Sequence, residues 1–120
     1  MPLIDCHAHI YSFDEKRYPP RANPFRPPKG VGSVEHLHHV SQAAGVSAVR
    51  AIQAVTFYGY DNSYLLDSTH DHRDWNCGVC TLDPDDSRST PTRNLTIKML
   101  LTPDAARPIL SCELIGAGTV

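Results

Sequence analysis

Apolar residues recur along this chain with two periods. Leu3 to His9 opens as a short alternating run, the period of a β-strand. Ser33 reads as a helix N-cap, and Val34, Leu37, Val40 and Ala44 follow at helical spacing until Gly45 stops them. Val46 to Val55 predicts a second strand, with Val49, Ile52 and Val55 among small residues. Thr56 to Tyr60 reads as a loop. Asp61 caps a second helix over Asn62 to Arg73, with Tyr64, Leu65 and Leu66 on its apolar side. Trp75 to Leu82 is a third strand. Strand, helix, strand, helix, strand with short connections implies an α/β fold with parallel strands.

The exception is the stretch from Tyr11 to Gly32. It holds Pro19, Pro20, Pro24, Pro27 and Pro28, half of the 10 prolines. Proline at that density excludes regular structure and stiffens the path. Tyr11, Phe13, Tyr18 and Phe25 are its expected apolar anchors, and a long ordered loop after a strand often walls or covers a site. Beyond Asp86 the periodicity fades. Residues 87–120 read as a divergent tail, helical over Leu95 to Leu101 behind Thr90 and Pro91. Ile109-Leu110 and Leu114-Ile115 form no convincing βα unit.

Composition narrows the class. The chain has 120 residues, 41% hydrophobic, enough for one small domain. Mean hydropathy of −0.31 predicts a soluble globular chain. A net charge of −2 and a pI near 6.3 give no electrostatic case for nucleic acid or an anionic membrane. The absence of a transmembrane-length run and of a signal sequence predicts a cytoplasmic location. Cys6, Cys77, Cys80 and Cys112 are scattered as expected of thiols rather than disulfides. The Cys77 and Cys80 spacing has no second pair beside it and reads as small core residues.

The candidate chemistry sits on the first strand. His7 and His9 are two residues apart at its end, so alternation projects them, with Asp5, from one face. Neutral imidazoles are ligands for zinc and similar ions, and a catalytic site needs further ligands plus an open position. His-x-His also occurs on solvated strands where it binds nothing. The carboxyl end of a strand in an α/β fold favours the functional reading. Gln53, near the end of the second strand, is expected to face the same pocket. His36, His38 and His39 fall on the first helix and read as surface residues. His70 and His72 suit the C-terminal end of the second.

Together, Asp5-Cys6-His7-Ala8-His9-Ile10, Arg17-Tyr18-Pro19-Pro20, Phe25-Arg26-Pro27-Pro28, Ala51-Ile52-Gln53, Tyr58-Gly59-Tyr60-Asp61-Asn62 and Gly78-Val79-Cys80-Thr81-Leu82-Asp83-Pro84 resemble the amidohydrolase-related family of metal-dependent hydrolases, in the branch with the pyrone-dicarboxylate lactonases. The resemblance implies a (β/α)8 TIM barrel, of which residues 1–86 would be the N-terminal part. It implies that His7 and His9 ligate a divalent metal, zinc first, although some members of the branch do without a metal and would use the pair to orient substrate. It implies hydrolysis of a lactone, ester or amide of a small organic acid, with Asp5, Gln53 and Phe25 at the substrate. Phe25 stands where many members carry a tyrosine, so no hydroxyl is expected there.

A full barrel typically needs about 250 residues. No histidine follows His72, so the later ligands the family uses are absent. The expectation is an incomplete barrel, truncated or frame-shifted, that is inactive alone and exposes the edges of its first and third strands to self-association. Three other readings compete. One is a non-catalytic remnant or interaction fragment. Another is a TatD-like or PHP-type phosphoesterase, which the proline-rich loop and lack of basic character disfavour. The last is a histidine-rich metal buffer, in which only His7 and His9 would converge.

Overall fold

Parallel pairing follows from the spacing of the apolar runs, because each is separated from the next by a chain long enough to return to the same end of a sheet. The computed structural model describes residues 2–81, Asp83 and the strand at Leu114–Ile115. Strand β1 is Leu3–Ala8, followed by helix α1 at Val34–Ala43 and strand β2 at Val46–Ile52. A single helical turn, α2, spans Val55–Tyr58. Helix α3 is Ser63–Asp71, β3 is Asn76–Thr81 and β4 is Leu114–Ile115. The strands run parallel in the order β1-β2-β3-β4.

Two element boundaries differ from the periodic reading. β2 stops at Ile52, and α2 takes Val55 from the expected strand and Thr56 to Tyr58 from the expected loop. The ladder contact runs one residue further, since Gln53 N–H donates to the Val79 carbonyl at 2.9 Å. Val40 is 42% exposed rather than on the apolar face of α1. The buried positions there are Val34 and Ser41, seven apart, with Leu37 packed between them, and that stripe leaves Val40 to one side. The expected open edge of β3 is also revised: Cys80 and Thr81 pair with Leu114 and Ile115. Among the described residues β1 is paired only with β2, and its Leu3 and Ile4 are 55% and 62% exposed. The helix expected over Leu95 to Leu101, and the rest of the tail apart from β4, lie outside the described residues.

The core forms where α1 packs on β2 and α3 on β3. Ala51 and Cys80 are fully buried, with Leu65 and Tyr64 of α3 and Phe57 and Tyr58 of α2 around them. Helix α3 approaches β3 closely at Gly78, where an added Cβ would lie 2.6 Å from Thr69 Oγ1 and 3.3 Å from Leu65 Cγ. Only a residue without a side chain allows that approach. On the other helix, His38 lies flat on Trp75, ring centroids 4.3 Å apart and planes within 6°.

The proline-rich segment is an ordered strap. Its ends meet where Tyr11 N–H donates to the Gly32 carbonyl at 2.7 Å. Arg21 and Phe25 N–H groups donate to the Phe57 and Thr56 carbonyls of α2. Three tyrosine hydroxyls tie the strap and α1 to the body: Tyr58 accepts from Ser12 N–H, Tyr64 accepts from Val34 N–H, and Tyr18 donates to Asp67. Tyr11 and Tyr18 do anchor the strap. Phe13 and Phe25 do not, being 65% and 72% exposed. A tyrosine can fill the core and still satisfy its hydroxyl at the rim, and this loop uses that chemistry instead of phenylalanine.

These hydroxyls predict an alkaline limit. Burial, reinforced by the hydrogen bond to Asp67, pushes Tyr18 up to about 12, and burial pushes Tyr58 to about 12 against the opposing hydrogen bond from Ser12. A phenol whose folded value is raised contributes stability that is complete below its ordinary value of 10 and is lost as pH climbs through about 12. Far-ultraviolet circular dichroism followed together with tyrosinate absorbance should show native signal held to pH 10 and lost towards pH 12. The Tyr18→Phe, Tyr58→Phe double variant should lose its signal less steeply over that window. An equally steep loss would remove these hydroxyls as the cause.

Candidate functional site

The end of β1 departs from a regular strand. Between Asp5 and Ala8 the chain advances three residues while β2 advances two, from Val49 to Ala51. This bulge adds one residue and breaks the alternation that would have put Asp5 on the histidine face. Asp5 Oδ1 instead accepts the backbone N–H of His7 at 3.0 Å. Among the described residues no three His, Cys, Asp or Glu side chains converge as a metal-holding group, so Asp5 does not complete one with the histidines.

His7 and His9 do converge. Their Nε2 atoms are 3.2 Å apart, with ring planes at 85°. His9 Nδ1 lies 2.9 Å from the Ile52 carbonyl, which can only accept. Nδ1 of His9 therefore carries the proton, and its Nε2 presents a lone pair towards His7. In the metal-free protein the Nε2–H of His7 donates to that lone pair. A tetrahedral zinc with Zn–N bonds of about 2.0–2.1 Å holds two nitrogens roughly 3.3 Å apart. The observed 3.2 Å matches that bite. The Ile52 carbonyl is also the kind of second partner that fixes a ligating imidazole. Both rings are exposed. The pair fits two positions of a metal site, and the described residues supply no third ligand.

Gln53 has a different task from the one expected. Its side chain is 4% exposed, and Nε2 donates to the carbonyls of Gly59 and Asp61 at 2.7 and 3.1 Å. It clamps the segment from α2 to α3 instead of facing the histidines. Gln53 Oε1 is buried with no hydrogen-bond partner among the described residues. Phe25 sits on the strap, held through its backbone at Thr56, with its ring exposed. Asp61 accepts from both the N–H and the hydroxyl of Ser63, but it stands one residue before the N-cap of α3, which is Asn62 and not the expected Asp61.

Asn62 is the residue that sequence reasoning missed. Its Oδ1 accepts Thr81 N–H at 3.2 Å and its Nδ2 donates to Thr81 C=O at 2.9 Å. The amide thus mimics one rung of a β-ladder and locks the start of α3 to the carboxyl end of β3.

No family model matches the chain, and no curated protein matches it. Solved structures do. A probable 2-pyrone-4,6-dicarboxylic acid hydrolase from Acinetobacter baumannii, with citric acid bound, aligns at 18% identity and a TM-score of 0.63 over 82% of this chain and 35% of its own. A candidate 2-pyrone-4,6-dicarboxylic acid hydrolase from Pseudomonas putida aligns at 23% identity and a TM-score of 0.60, over 82% of this chain and 34% of its own. An Agrobacterium tumefaciens protein in its apo form gives 17% and 0.59, over 78% and 34%. The chain therefore has an α/β fold that matches part of a TIM barrel and spans about a third of the length of these neighbours. Among the described residues no helix is long and apolar enough to cross a membrane.

Proposed function

We propose that this chain carries the first-strand metal ligands of an amidohydrolase-related hydrolase that cleaves a lactone, ester or amide bond of a small organic acid. The observation that carries the reading is the 3.2 Å approach of His7 and His9 Nε2, with the His9 tautomer set by Ile52. Its support is the likeness in fold to proteins described as 2-pyrone-4,6-dicarboxylic acid hydrolases. His7 and His9 would hold a divalent ion, zinc first. Such an ion lowers the pKa of bound water and polarises a substrate carbonyl. This chain's own part is to hold the two nitrogens at a fixed bite, with the His9 proton kept on Nδ1. The strap supplies a wall, and the exposed Phe25 an apolar surface without a hydroxyl. Among the described residues two ligands do not make a catalytic set, so the chain alone is proposed to be inactive. The open edge of β1 is the surface through which it would self-associate.

The test is a chimera in which residues 2–83 replace the structurally equivalent segment of the Pseudomonas putida neighbour. With zinc or manganese added, it should hydrolyse 2-pyrone-4,6-dicarboxylate, and His7→Ala should remove turnover. A folded chimera without turnover would favour a non-catalytic remnant. Turnover of a phosphodiester in place of the lactone would favour the phosphoesterase reading.

A further inference from the structure

A cleft of about 430 Å³ opens along the strap, and none of Asp5, His7, His9, Phe25 or Gln53 lines it. Its size falls within the range of small-molecule sites. Tyr11 and Phe13 give it aromatic surface over the buried Phe57, and Arg26 and Lys29 line it with Glu15 as the one acidic side chain. The local charge is therefore positive within a chain of net charge −2.

The cationic groups are positioned by the loop. Val31 N–H donates to the Pro28 carbonyl at 3.3 Å, and Gly30 between them has φ +83°, the geometry of a type II turn with Lys29 at its corner. The Arg26 guanidinium lies over the Phe57 ring, 5.6 Å from its centroid. Its Nη1 meets Glu15 Oε1 at 2.7 Å. That bridge engages one of five donors, and both side chains are about half exposed, so it is a weak and replaceable contact. A guanidinium held over a ring by one edge contact to Glu15 keeps further donors for a second carboxylate.

We infer that this cleft is a binding site for a small aromatic carboxylate, with its ring against Tyr11 and Phe13 and its carboxylate on Arg26 and Lys29. Glu15 holds the guanidinium in place when the ligand is absent and competes with it when it is present. The site does not depend on the hydrolase reading.

The test is a titration of the ¹⁵N-labelled 120-residue chain with benzoate, followed by amide chemical shifts. Benzoate should move the Ser12, Lys29, Gly30 and Val31 signals saturably, and bind about tenfold more tightly than acetate or benzamide, a difference of ~1.4 kcal/mol. Arg26→Gln should weaken binding by a similar factor. Glu15→Gln should strengthen it a few-fold, because a competing anion is removed, and that gain is not expected from a site that merely loses structure. His7→Ala should leave it unchanged. Shifts scattered over the chain without saturation, or weaker binding in Glu15→Gln, would overturn the assignment.

Discussion

Asn62→Ala should cost this fold roughly 2–6 kcal/mol, because it takes the partner from the buried Thr81 N–H and C=O, at about 1–3 kcal/mol each, as well as from the more exposed Tyr60 carbonyl. Asn62 and Thr81 are 5% and 7% exposed, so water does not readily replace the amide. Asn62→Asp separates the two bonds. An aspartate keeps an acceptor for Thr81 N–H but sets a carboxylate against the Thr81 carbonyl, where Nδ2 now donates. It should therefore destabilise as well, despite matching the size of the original side chain. Urea unfolding would show a lower midpoint for both variants at constant slope. A change within about 0.5 kcal/mol, the range of ordinary surface substitutions, would mean that Asn62 does not hold α3 to β3.

Asn62 also marks where reading the sequence stops. Its place at the start of a helix follows from Asp61 before it and the apolar spacing after it. Its pairing with Thr81, nineteen residues on, leaves no local trace. The same division runs through the rest of the chain. The strands, helices and parallel order were legible because periodicity of 2 and 3.6 reports which face is buried. The bulge in β1 was not, since it arises from register against β2 rather than from any signal in Asp5 to Ala8. Four aromatic residues in the strap had equal standing in the sequence, yet only the two with hydroxyls pack inward, Tyr18 with a partner on α3. Gln53 looked like a site residue because of its position at a strand end, and its burial could be known only once the α2 turn had folded over it.

His7→Ala and His9→Ala should each abolish stoichiometric zinc binding. The free-energy gain from this pair comes from geometry that is already set: a 3.2 Å separation, one proton placed by Ile52, and His7 on β1 with His9 one residue beyond its end. Losing either imidazole leaves a single exposed nitrogen, no better than any surface histidine. The other histidines are the control. His39 is exposed on α1, and His38 is stacked on Trp75, so His39→Ala should leave zinc binding unchanged. Isothermal titration would give the stoichiometry. The histidine ring nitrogen signals would identify the ligating atom as Nε2 of His9, with Nδ1 still protonated. Full binding in His7→Ala would show that the approach of the two rings is a hydrogen bond alone, in which case the pair orients substrate and any hydrolysis proceeds without a metal on β1.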